Sequence, residues 1–255
     1  MNLITSRDNP LVKELRRLAQ DSTAYRKSKR VWLEGDHLCR AALARGVKPE
    51  LAVFAESLLP SAPDEWTQAA PRNVVLPDAL FQDISGLESP ARMGFVMHLP
   101  EAQHILPNAA TVVLDRVQDA GNVGSILRSA SAFGFSQVVA LKGSAAVWSS
   151  KVLRAGMGAH FGLHLVDGVT PDALDALHVP WLATDVHQGP FLHELQQTRS
   201  LPKPCAWLLG HEGQGVSPEL AQRAALTVRI AQPGGEESLN VAAAAAICLY
   251  ASSCT

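Results

Sequence analysis

Three stretches of this chain set polar or charged side chains of reactive type beside glycines, each directly after a short apolar run. The first is Asp115-Arg116-Val117-Gln118-Asp119-Ala120-Gly121-Asn122-Val123-Gly124-Ser125-Ile126-Leu127-Arg128. It leads from a strand-like run into a helical pattern, so Asn122 falls at the helix start and Arg128, six residues on, nearly two turns in. The second, Leu209-Gly210-His211-Glu212-Gly213-Gln214-Gly215-Val216, holds one carboxylate among three glycines, which let main chain approach a ligand closely. The third, Ile230 to Asn240, repeats strand, glycine turn and helix, with Ser238 and Asn240 on either side of Leu239. A guanidinium, a carboxylate, two amides and a hydroxyl on three such loops have the makings of a site for a polar ligand held partly by main chain. None of the loops carries G-x-G-x-x-G or G-x-x-x-x-G-K-[ST], which argues against hydride transfer and against an NTPase. Read singly, each has a plain alternative. Asn122 could be an N-cap and Arg128 a solvated helix residue, Glu212 a surface group on a glycine turn, and Ser238 and Asn240 helix caps.

The elements that must position these loops follow from the apolar pattern. The runs Thr111–Leu114, Gln137–Leu141, Trp181–Ala183, Ala206–Leu209 and Leu226–Ile230 are short, continuous and separated by helical stretches. That pattern predicts strands buried on both faces, in a mainly parallel sheet covered by helices. Ligands of such sheets bind at the carboxyl ends of the strands, where all three loops lie. A last helix is expected over Leu239–Ala251, with the alanine run Ala242–Ala246 suited to close packing in a core or between subunits. Ahead of Pro100–Pro107, a proline-punctuated linker, the chain differs: a short amphipathic basic helix over Pro10–Leu18, then the strand-like Val31–Leu33, a helix from His37 to Ala44 and a strand from Leu51. A small α/β domain over residues 1–104 and a larger domain over 105–255 are therefore expected.

Length and composition agree. At 255 residues and 47% apolar, the chain can bury a core without staples, and no apolar run approaches the length of about 18 that a membrane span requires. The first ten residues contain no long apolar stretch, and Asp8 and Glu14 argue against a transit peptide, so a cytoplasmic location is expected. Four scattered cysteines without a C-x-x-C pair suggest reduced, mostly buried thiols and no metal site. The formal net charge of −2 makes no case for nucleic acid over the whole chain, yet eleven basic residues face five acidic ones up to Lys48. A basic leading segment points to a polyanionic partner, with an ordinary solvated helix face as the alternative. Its candidate phosphate contacts are Arg7, Lys13, Arg16, Arg26, Lys27, Lys29 and Arg30.

Together, G-N-V-G-S-I-L-R-S-A, L-L-G-H-E-G-Q-G-V and E-S-L-N-V-A-A-A-A resemble the three motifs of SpoU-type (TrmH-like) RNA 2′-O-ribose methyltransferases of the SPOUT superfamily. I-T-S-R-D-N-P-L-V-K-E-L with R-K-S-K-R-V-W-L-E-G is similar to the small RNA-binding domain that precedes them in ribosomal-RNA-modifying members. The resemblance implies a trefoil-knotted α/β domain, an exception to the rule that chains do not knot, an obligate homodimer with the site near its interface, and S-adenosylmethionine as cofactor. It carries the catalytic roles onto Arg128, Asn122, Glu212, Ser238 and Asn240, and cofactor contacts onto Leu209, Gly210, Ile230, Leu239 and Asn240. Two departures, Ala120 in place of a frequent proline and Ala231-Gln232-Pro233 in place of isoleucine-proline-methionine, concern turn shape. Ribosomal RNA is the expected substrate; a transfer-RNA methyltransferase and a non-catalytic RNA-binding or assembly protein are the alternatives. A guanidinium with a pKa above about 12 is a poor base near neutrality, so Arg128 is expected to orient the target phosphate and ribose with its planar fork.

Overall fold

The computed structural model describes residues 1–85, 91–101, 104–234 and 238–254. Two compact units emerge, one of Met1–Glu101 with Trp148–Phe161 and the other of Ala102–Val147 with Gly162–Thr255.

In the first unit the chain runs β1 (Asn2–Leu3), α1 (Pro10–Gln20), α2 (Ala24–Ser28), β2 (Arg30–Glu34), α3 (Asp36–Ala44), β3 (Leu51–Ala55), α4 (Asp64–Thr67), β4 (Asn73–Leu76), α5 (Asp78–Ile84) and β5 (Met93–His98). Helix α1 starts at Asn9, whose side chain accepts from the Leu11 amide at 2.9 Å, with Pro10 pre-setting the first turn. It buries Val12, Leu15, Leu18 and Ala19 and keeps its basic side chains outward. The sheet order is β1-β4-β3-β5-β2, parallel from β1 through β3 and antiparallel where β5 meets β3 and β2. Trp32, Phe54, Phe81 and Phe95 are almost wholly enclosed, and the buried Glu34 carboxylate accepts hydrogen bonds from Trp32 Nε1 at 3.4 Å and from Ser85 Oγ. Gly94 on β5 makes room for the Trp32 indole, since a Cβ there would stand 2.2 Å from the ring and 2.7 Å from the Leu33 carbonyl oxygen. Gly94→Ala is accordingly expected to destabilise this unit by about 3 kcal/mol, a cost typical of overpacking, and to lower its thermal midpoint by about 10 °C. A thermal melt followed by tryptophan fluorescence checks it.

The second unit begins with β6 (Thr111–Leu114), α6 (Ala120–Ala132) and β7 (Gln137–Leu141). Its chain then leaves for Trp148–Phe161, whose helix α7 (Ser150–Gly156) belongs to the first unit and donates a hydrogen bond from Ser150 Oγ to the Ala19 carbonyl at 2.6 Å. It resumes with β8 (His164–Val169), β9 (Trp181–Thr184), α8 (Leu192–Gln197), β10 (Ala206–Leu209), α9 (Pro218–Arg223), β11 (Leu226–Val228) and α10 (Val241–Ser253). All six strands are parallel, in the order β11-β9-β10-β6-β7-β8. Continuous burial along β6, β7 and β10 explains why these segments read as unbroken apolar runs. The expected run to Ile230 ends as a strand at Val228, with Arg229 bridging Phe191 alone. The last helix starts at Val241 because Asn240 caps it, accepting from the Ala242 and Ala243 amides at 2.8 and 3.2 Å.

The cysteines are free thiols, with Cys39, Cys205 and Cys248 buried and Cys254 exposed. Among the described residues no helix is long and apolar enough to cross a membrane, and no cluster of His, Cys, Asp or Glu could hold a metal ion.

Candidate functional site

The loops after β6, β10 and β11 meet at the carboxyl edge of the parallel sheet, joined by one chain of side chains. Glu212 accepts from the Gln118 amide at 3.2 Å through one oxygen, and from the Asp119 amide and Asn122 Nδ2, both at 3.1 Å, through the other. Asn122 Oδ1 in turn accepts from Asn240 Nδ2 at 2.9 Å. Asn122 is free for this because Asp119, three residues earlier, caps α6 by accepting from the Asn122 amide at 2.7 Å; the N-cap reading of Asn122 is thereby corrected. Asn240 does cap α10, but with its oxygen only, which leaves its amide nitrogen for Asn122.

Burial of Glu212 works to raise its pKa, and the donors outweigh it. The Asn122 side chain and the amides of Asp119, Glu212 itself and Gln118 together hold the carboxyl down at about 2. At any physiological pH it is an anion whose lone pairs are engaged by protein donors, suited to fixing loops and unsuited to taking up a proton.

A second clasp lies beside the first. The buried Asp115 carboxylate accepts from the Ser217 amide at 2.6 Å and pairs with Arg116 Nε at 3.0 Å, while an Arg116 terminal nitrogen donates to Gln214 Oε1 at 2.9 Å. Arg116 adopts φ +60°, a left-handed conformation that costs a non-glycine residue about 1–2 kcal/mol. Gly210 is required by a close approach, because a Cβ on it would stand 2.0 Å from the Gly215–Val216 peptide. His211 and Gly215 exchange main-chain hydrogen bonds at 3.0 and 2.8 Å and close the turn that presents Glu212.

Of the residues expected at the site, Asn122, Glu212 and Asn240 are thus brought into one network. Ser238 and Arg128 are exposed and take no hydrogen bond or ion pair with any described residue. Arg128 lies about 9 Å along α6 from Asn122 and about a third of a turn around it, so the two side chains do not share a face. The expected cofactor residues Leu209, Gly210, Ile230, Leu239 and Asn240 flank the same edge; Leu209 is buried, and Leu239 is 39% exposed. No hydrogen bond among the described residues engages the peptide groups of Ile230 or Leu239, which leaves main-chain donors and acceptors open on the third loop. Gly234, on the same loop, has no described atom within 4 Å of where its Cβ would be. Open main chain beside a glycine turn fits an adenosine-bearing cofactor. Residues 235–237 of this loop lie outside the described residues. Asp115, Arg116, Asp119 and Gln214 were not marked from sequence, although all sit in the flagged loops.

On the first unit, Lys13, Arg16 and Arg17 with Gln20 and Asp21 line a surface groove of about 380 Å³ along α1. Arg7 pairs with Asp83 at 2.6 Å, Lys13 with Asp8 at 2.9 Å, and Arg16 Nε donates to the Asp83 carbonyl at 3.4 Å. Arg26 lies over the Tyr25 ring, and Lys27 and Lys29 are exposed. Arg30 differs from the rest: Glu14, at 2.6 Å, and Glu50 grip its guanidinium, and its side chain is only 20% exposed, so its charge is spent inside the unit.

Comparison with known proteins agrees with this geometry. A model of the SpoU rRNA Methylase family matches residues 109–250, and one of the MRM3-like substrate binding domain matches residues 9–93. The chain is 33% identical, over 98% of its length and 98% of the relative's, to the 23S rRNA (guanosine(2553)-2′-O)-methyltransferase RlmP of Bacillus subtilis. Among solved structures it is similar to an AdoMet-bound rRNA methyltransferase from Sinorhizobium meliloti, with TM-score 0.82, 26% identity and 98% and 97% of the two chains covered. It is also similar to an RNA 2′-O ribose methyltransferase, with TM-score 0.78, 28% identity and the same coverage.

Proposed function

Because the chain belongs to the SpoU rRNA methylase family, we propose that it is an S-adenosylmethionine-dependent methyltransferase acting on a ribose 2′-hydroxyl of ribosomal RNA. The observation that carries this reading is the Glu212–Asn122–Asn240 chain, which ties the three motif loops into one site at the sheet edge. The bound cofactor supplies an electrophilic methyl group on a sulfonium centre. Gly210, Ile230 and Leu239 hold it chiefly through main chain, with Leu209 and Asn240 beside them. Asn122 and Asn240, fixed through Glu212, line up the ribose, with Ser238 as a further polar contact. Arg128 orients the ribose and its phosphate. Glu212, held at about 2 and engaged by protein donors, is a poor proton acceptor, so catalysis rests on alignment, which can supply roughly 7–11 kcal/mol. As the ribose oxygen took the methyl group, the sulfur–methyl bond would break to leave neutral S-adenosylhomocysteine, and the 2′-hydroxyl proton would pass to water.

The division of labour follows the two parts of the sequence. Residues 1–104 choose and hold the RNA, and residues 105–255, apart from the 148–161 segment that packs in the first unit, carry the reaction, because readout of an RNA must come from outside a small methyl-transfer pocket. Arg7, Lys13, Arg16, Arg26, Lys27 and Lys29 are the phosphate contacts, and Arg17 joins them. Arg30 is set aside, since two carboxylates already hold it. Replacing Lys13, Arg17 and Lys27 together with glutamine should flatten the dependence of log K on log salt by about 2, at roughly 0.7 per phosphate lost on single-stranded RNA. Filter binding at several salt concentrations measures it.

The working unit is a homodimer. Leu239, Ile247 and Tyr250 leave apolar surface exposed on and beside α10, at 39%, 41% and 56%, and Tyr250 meets Phe133, the C-cap of α6, edge-on. Arg128, whose side chain has no hydrogen-bond or ion-pair partner among the described residues, lies on the helix packed against α10 and would be completed by a second copy. The trefoil knot and a cytoplasmic location belong to the same proposal, supported by family membership. Methyl transfer from labelled S-adenosylmethionine to unmodified ribosomal RNA, with transfer RNA alongside, tests it: label in ribosomal RNA is expected, and label confined to transfer RNA, or to neither, would overturn the reading.

A further inference from the structure

The edge that must receive RNA is lined by acids. Among the described residues of 115–119, 210–217, 230–234 and 238–240 the acidic side chains are Asp115, Asp119 and Glu212, and Arg116 is the one lysine or arginine. A phosphodiester approaching these loops gains from a cation carried on them, in addition to the one that Arg128 presents from α6.

Arg116 is built for this. Its backbone holds the left-handed conformation, which aims the side chain across the loops, and its stem lies over Gly143, where a Cβ would stand 3.2 Å from Arg116 Cγ. One nitrogen is fixed on buried Asp115 and another on Gln214, so the fork is oriented before any ligand arrives. A guanidinium has five N–H groups, and these two bonds use two of them. The remaining three have no acceptor among the described residues, on a side chain that is 34% exposed. A pre-oriented planar fork with open donors matches the geometry of phosphate oxygens.

We infer that Arg116 is a substrate-positioning residue that binds a phosphodiester adjoining the target ribose, with Asp115 and Gln214 holding its fork in place. The inference rests on the RNA methyltransferase reading above.

Its test compares wild type with Arg116→Gly and Arg116→Lys on unmodified ribosomal RNA transcript and on S-adenosylmethionine alone. Glycine accepts the left-handed backbone without strain, so loss of fold is not expected from that variant. Arg116→Gly should raise KM for RNA about 10-fold and flatten the salt dependence of RNA binding by about 1, with calorimetric affinity for S-adenosylmethionine unchanged. Arg116→Lys should keep the salt slope and recover only part of the KM, because it retains charge without the fork. An unaltered KM and slope in Arg116→Gly would overturn the inference. So would weakened cofactor binding with an unaltered RNA slope, which would make Arg116 a loop clasp only. Salt slopes need no turnover. A wild type that binds RNA without methylating it would therefore defeat the proposed function and still decide the role of Arg116.

Discussion

Glu212→Ala should lower the rate of methyl transfer at least about 100-fold and weaken S-adenosylmethionine binding, although the side chain is exposed and its role is not to accept a proton. The variant strands three donors at once, namely the amides of Gln118 and Asp119 and the side chain of Asn122, and it releases Asn122 from the orientation in which it meets Asn240. A displacement of about 1 Å in a site that works by alignment is enough for such a loss. Glu212→Gln keeps one acceptor oxygen but turns an amide group towards an N–H donor, so it should fall between wild type and alanine. The pH dependence has a definite sign. A carboxyl held at about 2 when folded, below its ordinary 4.5, contributes stability above about 4.5 that is lost as pH falls through about 2. Cofactor affinity of the wild type should therefore persist to about pH 3 as far as Glu212 is concerned, and Glu212→Ala should remove that share of the acid dependence. Calorimetric titrations from about pH 2 to about pH 7, with single-turnover rates near neutrality, measure both effects.

Arg128→Ala should cost about 1,000-fold in turnover with little change in cofactor affinity, because the Arg128 side chain makes no hydrogen bond or ion pair with a described residue and so holds none of the cofactor-facing main chain in place. Arg128→Lys should recover less than a tenth of the lost rate. A lysine supplies charge but not the two parallel donors that fix a ribose and its phosphate together. Nearly full turnover in the lysine variant would remove the requirement for a fork. The loss should appear mainly in kcat, because the fork acts on alignment of the bound substrate.

Much of the second unit was legible in sequence because strands buried on both faces carry unbroken apolar runs; β6, β7 and β10 coincide with Thr111–Leu114, Gln137–Leu141 and Ala206–Leu209. Strand β8 was not, since at the sheet edge only Leu165 and Val166 of its residues are buried and the run is broken by Asp167 and Gly168. The cap of α6 was ambiguous for a chemical reason: Asp119 and Asn122 are both good caps three residues apart, and only the fold shows that the aspartate takes the task. Long-range pairing hid the rest. Nothing local to Arg30 announces that Glu14 and Glu50 hold it, and nothing local to Ser150 announces that its helix packs in the first unit. Arg116 was invisible as a site residue because a left-handed arginine has no compositional cue; a glycine there would have been flagged as a turn.

The most direct test of the central claim is mass mapping of ribose methylation in large-subunit ribosomal RNA from cells with and without this protein. The first position to inspect corresponds to the guanosine that the Bacillus subtilis relative is named for. The expected result is one 2′-O-methylated nucleotide present in the first and absent from the second, restored by wild type and not by Arg128→Ala. A ribosomal RNA whose ribose methylation is the same in both, or a lost methyl that sits on a base, would contradict it.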